Sequence, residues 1–498
     1  QGGLHKMIYK NIKEIVYYGL DIGILNPLDY EYSINKLIDL FGLDSFIDVD
    51  IEYIRVDEPE KLLKPLLDYA SEHNLIEVDT VLNRDLFEAK IIDCIIPRPS
   101  EVYGEFSQIY HTDGPIEATN YYYYFSQKSN YIKTSRTNKN IIWKSETPYG
   151  VLDLTINLSK PEKDPRDIIA SGNKTSTDYP KCLLCKEHVG FSGKPGRTSH
   201  RIIPLELNDE FFYLQYSPYV YYNEHCIVLM AEHEPMNVSE KTFKRLFDFV
   251  DQFPHYFLGS NAGLPIVGGS ILSHEHYQGG NHHFAMEDAK VLEHHVVDGV
   301  EIERVYWPLS VLRLRSTDRE KVEQAALTLY DYWKEYSDES VGILAYTDAP
   351  HNAITPIARK KGELYELDMT LRNNRTSKEF PLGIFHPHPK QHNIKKENIG
   401  LIEVMGLAVL PARLEQELPI IEDCLVNNKE LPKQYSVHNE WLQELKDLYK
   451  GEDVHHFLND QVAKVFMRCI EDAGVFKQDE QGQEAFKTFT KGYINVLS

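Results

Sequence analysis

Two histidines and a glutamine stand at alternate positions in the segment Gly268-Gly269-Ser270-Ile271-Leu272-Ser273-His274-Glu275-His276-Tyr277-Gln278-Gly279-Gly280. On an extended backbone side chains repeat with a period of two, so His274, His276 and Gln278 share one face. A neutral imidazole on such a face can attack phosphorus and form a covalent phospho-imidazole. That chemistry requires its other ring nitrogen to be held protonated, usually by a carbonyl. A carboxamide beside it can donate to a non-bridging phosphoryl oxygen as charge develops there. The flanking glycines would let a ligand approach the backbone closely. A bare His-x-His more often belongs to a buried polar strand with satisfied histidines; the glutamine and the glycines shift the balance toward phosphoryl chemistry.

A second pattern is Cys182-Leu183-Leu184-Cys185. Alone, a C-x-x-C pair fits a zinc site, a redox couple or neither, and no second C-x-x-C follows it. The adjacent pairs His282-His283 and His294-His295 cannot both face one ion on a regular strand and are read as structural.

The elements that must position these residues sit in a chain of 498 residues, long enough for two to four domains. Lys plus Arg total 53 against 76 Asp plus Glu, a net charge of −23, which argues against nonspecific nucleic-acid binding. Local donors can still hold a phosphorylated substrate. Six cysteines in such a length imply no disulfide framework and suit a reducing, cytoplasmic setting. No apolar run approaches the ~18 residues that a membrane helix needs. The opening stretch lacks a signal-peptide-like apolar segment, and Met7 is read as the natural start.

Residues 1–140 read as helical. Ile34, Leu37, Ile38 and Phe41 follow helical spacing, with Ser33 as the expected N-cap. A helix over about 57–74 contains Pro65, which predicts a kink or an early break. A third helix spans about 79–94, and the run Tyr121–Tyr124 reads as packing. From residue 141 the pattern turns to strand, turn and strand, with further β segments at 211–214 and 225–230. A helix capped by Ser239 buries Phe243, Leu246, Phe247 and Val250. A second round follows: a strand over 305–314, a helix capped by Thr317 or Ser316 with Val322, Ala326, Leu329 and Trp333 on one face, and a hairpin about Lys360-Lys361-Gly362. The end, from about Glu440, is helical. Helices followed by hairpin-connected strands indicate an α+β fold. Neither a P-loop nor a dinucleotide fingerprint occurs.

The histidine segment resembles the histidine-triad superfamily and, within it, the galactose-1-phosphate uridylyltransferases. Their core reads His-Pro-His-Gly-Gln; here Glu275 and Tyr277 replace the Pro and Gly. The stretch Ser273–Gly280 is similar to the motif of a second, bacterial class, Ser-His-Glu-His-Tyr-Gln-Gly-Gly, and the likeness extends over about residues 145–420. It implies two histidine-triad-like halves with mainly antiparallel sheet, over 141–300 and 301–498, behind a helical region over 1–140. His276 matches the uridylylated nucleophile, and Gln278 the residue that hydrogen-bonds the transferred phosphoryl group. Glu275 would add a charge able to tune His276. The resemblance also supplies metal ligands: Cys182, Cys185, His233 and His274 would hold a structural zinc ion, since two thiolates and two imidazoles fill a tetrahedral shell.

Four further residues are carried over. Asn208 and Asp209 resemble a segment that holds uracil and ribose, although Asn-Asp is also a common turn pair. Asn261 resembles an asparagine contacting the phosphoryl group. Arg166 falls where the family places phosphate-binding arginines. His386-Pro387-His388 lies in a region similar to a second metal or substrate site.

The implied reaction is ping-pong. UDP-glucose gives its uridylyl group to His276, and galactose 1-phosphate takes it up. A homodimer is expected, and neither nucleic acid nor membrane is a partner. The rivals are a dinucleoside-polyphosphate phosphorylase using the same histidine, and a catalytically silent zinc-containing nucleotide-binding protein. A hydrolase is disfavoured, because histidine-triad hydrolases carry a third histidine where Gln278 stands.

Overall fold

The computed structural model describes residues 2–159 and 178–498. Helices come first: α1 (Gly2–Asp21), α2 (Tyr30–Leu40), α3 (Glu60–Glu72), α4 (Val81–Asp93), α5 (Pro99–Asp113), α6 (Pro115–Lys128) and the short α7 (Thr134–Thr137). Ile34 and Leu37 are buried on α2, and Phe41 just beyond it. Ser33 is not its cap. The turn Pro27–Asp29, capped by Asn26, starts the helix about one turn earlier and leaves Ser33 buried inside. Pro65 does not break α3. Its ring removes one backbone donor near the helix start, while Leu63, Leu66, Leu67 and Ala70 hold the helix by burial. Within the tyrosine run, Tyr122 is buried and its hydroxyl donates to the Arg201 carbonyl oxygen at 2.6 Å, joining α6 to the sheet region.

Strands follow. β1 (Ile141–Thr147) and β2 (Gly150–Ile156) form a hairpin; β3 (Ile203–Leu207), β4 (Glu210–Tyr216) and β5 (Cys226–Met230) lead into α8 (Glu240–Gln252), then β6 (Phe257–Gly259) and β7 (His276–Gly280). The pattern then recurs as β8 (Val291–Val297), β9 (Val300–Val305), β10 (Val311–Ser316), α9 (Arg319–Lys334), β11 (Asn352–Lys361) and β12 (Leu364–Asn373). The strand expected over 305–314 is split, because Pro308 cannot join a ladder and Trp307 turns inward to donate to the Val404 carbonyl oxygen at 2.9 Å. Asp318, not Thr317 or Ser316, caps α9, accepting from the Lys321 N–H. The chain closes with α10 (Leu401–Val404), β13 (Leu407–Leu410), α11 (Leu414–Val426), α12 (Asn439–Leu448), α13 (Val454–Ala473) and α14 (Glu480–Leu497).

The large sheet has the order β3-β4-β5-β7-β6-β11-β12-β10-β9-β8 and every pairing in it is antiparallel. Read outward from the β6–β11 seam, both sides show the same topology, each with one helix between its third and fourth strands. The fold is thus a doubled α+β unit with a helical N-terminal region. A smaller sheet of β1, β2 and β13 lies apart from it. α8 and α9 bury Phe243, Leu246, Phe247, Val250, Val322, Ala326, Leu329 and Trp333. Among the described residues no helix is long and apolar enough to cross a membrane.

The second half is locked by charge. Asp368 on β12 is fully buried and accepts from Arg313 Nε at 2.7 Å and from Arg359 Nη1 at 2.7 Å. The two guanidiniums hold its carboxyl below the usual carboxylate range despite burial. Arg313 Nη2 also donates to the Met286 carbonyl oxygen at 2.8 Å, tethering the segment that leaves β7. Removing one partner leaves buried charge uncompensated. Asp368→Asn should therefore lower unfolding free energy by about 3–5 kcal/mol, read from the urea midpoint; an unchanged midpoint would show that the network adds nothing to stability.

Candidate active site and metal centre

β7 sits between β5 and β6, with His276 opposite Leu229 and Gln278 opposite both Ile227 and Gly259. Tyr277 turns to the helix-covered face, where Arg245 of α8 donates to its hydroxyl at 3.1 Å. Alternation therefore places His276 and Gln278 on the opposite face, with His274 just ahead of them. Glu275 goes with Tyr277: its carboxylate accepts from the Asn237 N–H at 2.7 Å and lies 3.8 Å from Arg245. The charge expected to tune His276 is thus on the wrong side of the sheet, because the strand alternates.

His276 Nδ1 lies 2.7 Å from the His274 carbonyl oxygen. A carbonyl can only accept, so Nδ1 carries the proton and Nε2 keeps its lone pair. The ring is only 7% exposed. Burial lowers its pKa to about 4, leaving it neutral at ordinary pH. Gln278 Oε1 is 3.0 Å from His225 Nε2. Asn261 lies two residues beyond Gly259, the partner of Gln278, just past the end of β6. Its Oδ1 accepts from the Leu401 N–H at 2.9 Å, joining the site to the second half. A Cβ at Gly269 would lie 2.8 Å from Asn261 Nδ2, so glycine is what lets that amide fit. The glycines after Gln278 serve strand packing instead of ligand approach: a Cβ at Gly279 would collide with the Phe257 carbonyl oxygen.

Cys182, Cys185, His233 and His274 converge, their ligand atoms all within 4.8 Å of one another. The Cys182 and Cys185 sulfurs are 3.6 Å apart, Cys182 Sγ is 3.2 Å from His274 Nδ1, and Cys185 Sγ is 3.3 Å from His233 Nδ1. A tetrahedral Zn²⁺ with bonds of roughly 2.0–2.3 Å has ligand–ligand edges of about 3.3–3.8 Å, so the group fits a metal ion. His274 Nε2 donates to the Met230 carbonyl oxygen at 2.8 Å, which leaves Nδ1 as the ligating nitrogen. Burial first, and then the neighbouring Cys185 thiol, push the Cys182 thiol up to about 11; a bound cation reverses that preference and favours thiolate.

The other anticipated residues are not brought here. Asn208 and Asp209 form the β3–β4 turn with φ of 53° and 59°, and the Asn208 N–H donates to Asp248 of α8, on the helix-covered side. Their geometry is that of a turn pair. Arg166 lies outside the described residues. His386 Nε2 is 3.0 Å from Asn398 Oδ1, and His388 is held by the Ile384 carbonyl oxygen and Asp472, so both serve loop structure. His282, His283, His294 and His295 pair with Asp153, Asp288, Glu301 and Glu293. His225 is the site residue that sequence patterning overlooked; its only signal was a histidine two positions from Ile227, on the same strand face.

Family models for the N-terminal and C-terminal domains of galactose-1-phosphate uridyl transferase match residues 24–235 and 248–443. The chain belongs to the galactose-1-phosphate uridylyltransferase family. It is 50% identical to the galactose-1-phosphate uridylyltransferase of Clostridium acetobutylicum over 99% of this chain and 100% of that protein. The Bacillus subtilis enzyme of the same name is 48% identical over 97% of both. A yeast Ap4A phosphorylase, Apa2, solved with Ap4A, matches 60% of this chain and 92% of its own at 11% identity and a TM-score of 0.32, too remote to bear on function. In this family member the metal group and the histidine strand share one residue, His274. Cys185→Ser should weaken zinc binding by more than the roughly 10–100-fold that outer-shell changes cost, measured by competition with a chromogenic chelator. Unaltered affinity would remove Cys185 from the ligand set.

Proposed function

We propose that this nucleotidyltransferase moves UMP from UDP-glucose to galactose 1-phosphate, giving UDP-galactose and glucose 1-phosphate, with His276 as the carrier. The observation that carries the proposal is the bond from His276 Nδ1–H to the His274 carbonyl oxygen, which presents an unprotonated Nε2 on the face shared with Gln278.

In the first half-reaction Nε2 attacks the α-phosphorus of UDP-glucose. The N–P bond forms as the bond to the bridging oxygen breaks, and glucose 1-phosphate leaves. In the second, a phosphate oxygen of galactose 1-phosphate attacks the same phosphorus, and the N–P bond breaks to release UDP-galactose. Nδ1–H stays on the carbonyl throughout, spreading the positive charge that develops on the ring. The Gln278 amide N–H donates to a non-bridging oxygen, and the Asn261 amide, whose Oδ1 is taken by the Leu401 N–H, is a second donor toward the phosphoryl group. Dividing one substitution into two lowers each barrier.

Zn²⁺ held by Cys182, Cys185, His233 and His274 is structural in this scheme, since four protein ligands leave no open position. It supplies rigidity: ligation of His274 fixes the backbone whose carbonyl orients His276. The reaction belongs to the cytoplasm, where six free cysteines remain reduced. A homodimer goes with this proposal, with a solution mass near twice 57.7 kDa by sedimentation; a monomeric mass would remove it.

His276→Ala should abolish exchange between UDP-glucose and galactose 1-phosphate without changing zinc content. UDP-glucose labelled in the uridylyl phosphate should leave acid-labile label on His276 of the wild-type protein. Label at another residue, or its absence with exchange intact, would overturn the covalent route.

A further inference from the structure

A primary amide can sit in either of two orientations that exchange a donor for an acceptor. Gln278 can donate to a phosphoryl oxygen only in one of them, and the group that selects it is His225. His225 Nε2 lies 3.0 Å from Gln278 Oε1. The residue immediately precedes β5, on the same face as Ile227, the strand partner of Gln278. It is 3% exposed, its ring is packed 4.5 Å from Tyr222 and 5.5 Å from Tyr221, and its backbone carbonyl accepts from the Ser217 N–H at 2.8 Å. A ring held this firmly has one proton to place, because burial keeps it neutral.

The ring's other nitrogen settles where that proton goes. Among the described residues Nδ1 is buried and meets no hydrogen-bond partner. A buried N–H without an acceptor is rarer and costlier than a bare acceptor lone pair. The proton therefore sits on Nε2 and is donated to Gln278 Oε1. With that oxygen occupied, the amide N–H₂ is the end left to face a ligand.

We infer that His225 is a positioning residue for uridylyl transfer, locking the Gln278 amide so that its N–H₂ faces the transferred phosphoryl group. This rests on Gln278 being the donor proposed above. Tyr221 and Tyr222 thus do more than fill space: they hold the ring that orients the amide.

The test is a double-mutant cycle on the full-length, zinc-loaded protein, using exchange between UDP-glucose and galactose 1-phosphate. His225→Met should lower kcat about 10–100-fold, as small misplacements of a catalytic group do, with KM for UDP-glucose within about twofold. His225→Gln, whose amide nitrogen reaches close to the position of Nε2, should recover most of that loss. In a Gln278→Ala background, His225→Met should change kcat by no more than about twofold, since the group it orients is gone. If His225→Met does not fold, His225→Asn, too short to reach Gln278, carries the same expectations. A full multiplicative loss on top of Gln278→Ala, or no recovery in His225→Gln, would overturn the inference and leave His225 as packing. A Gln278→Ala single variant exchanging at the wild-type rate would instead remove the donor role of Gln278, and the inference with it.

Discussion

One hydrogen bond organises the site: His276 Nδ1–H to the carbonyl oxygen of His274, 2.7 Å away. A histidine is a useful nucleophile at phosphorus only if it is neutral and only if the correct nitrogen is bare. Burial provides the first condition and the carbonyl the second. The carbonyl belongs to a residue whose side chain is one of four convergent metal-ligand candidates, and that side chain is itself oriented by the Met230 carbonyl oxygen. The metal-ligand candidates and His276 are therefore coupled through a single residue's backbone.

The surrounding fold explains how a strand of five residues can be held so firmly. β7 lies inside a ten-stranded antiparallel sheet, flanked by β5 and β6. The row through Gln278 continues across Gly259 and Ile357 to Asp368 and Arg313. At the matching place on the far side of the seam the second half thus presents a buried ion pair instead of an imidazole and an amide. Through the Leu401 N–H on Asn261 the second half also makes a contact with the candidate site.

Much of this was legible in the residues. Period-two spacing put His276 and Gln278 on one face, and helical spacing found the buried faces of α8 and α9, because both signals are local. Caps and breaks were less legible. Pro65 and Ser33 misled because burial of a neighbouring apolar face, or an upstream turn, outweighed a local preference. Glu275 misled in a different way: adjacency along the chain is separation across a sheet. Asn208 and Asp209 stand at a hairpin turn, with positive φ angles and the Asn208 N–H on Asp248 of α8. His225 was overlooked because its partner is 53 residues away, a contact that only the pairing of β5 with β7 creates.

The central claim is a tautomer, and nitrogen NMR reads tautomers directly. With histidine labelled at both ring nitrogens and His276→Asn used to assign the signal, His276 at neutral pH should show a protonated Nδ1 and an unprotonated Nε2. A signal with the proton on Nε2, or the averaged pair of an imidazolium, would contradict the account.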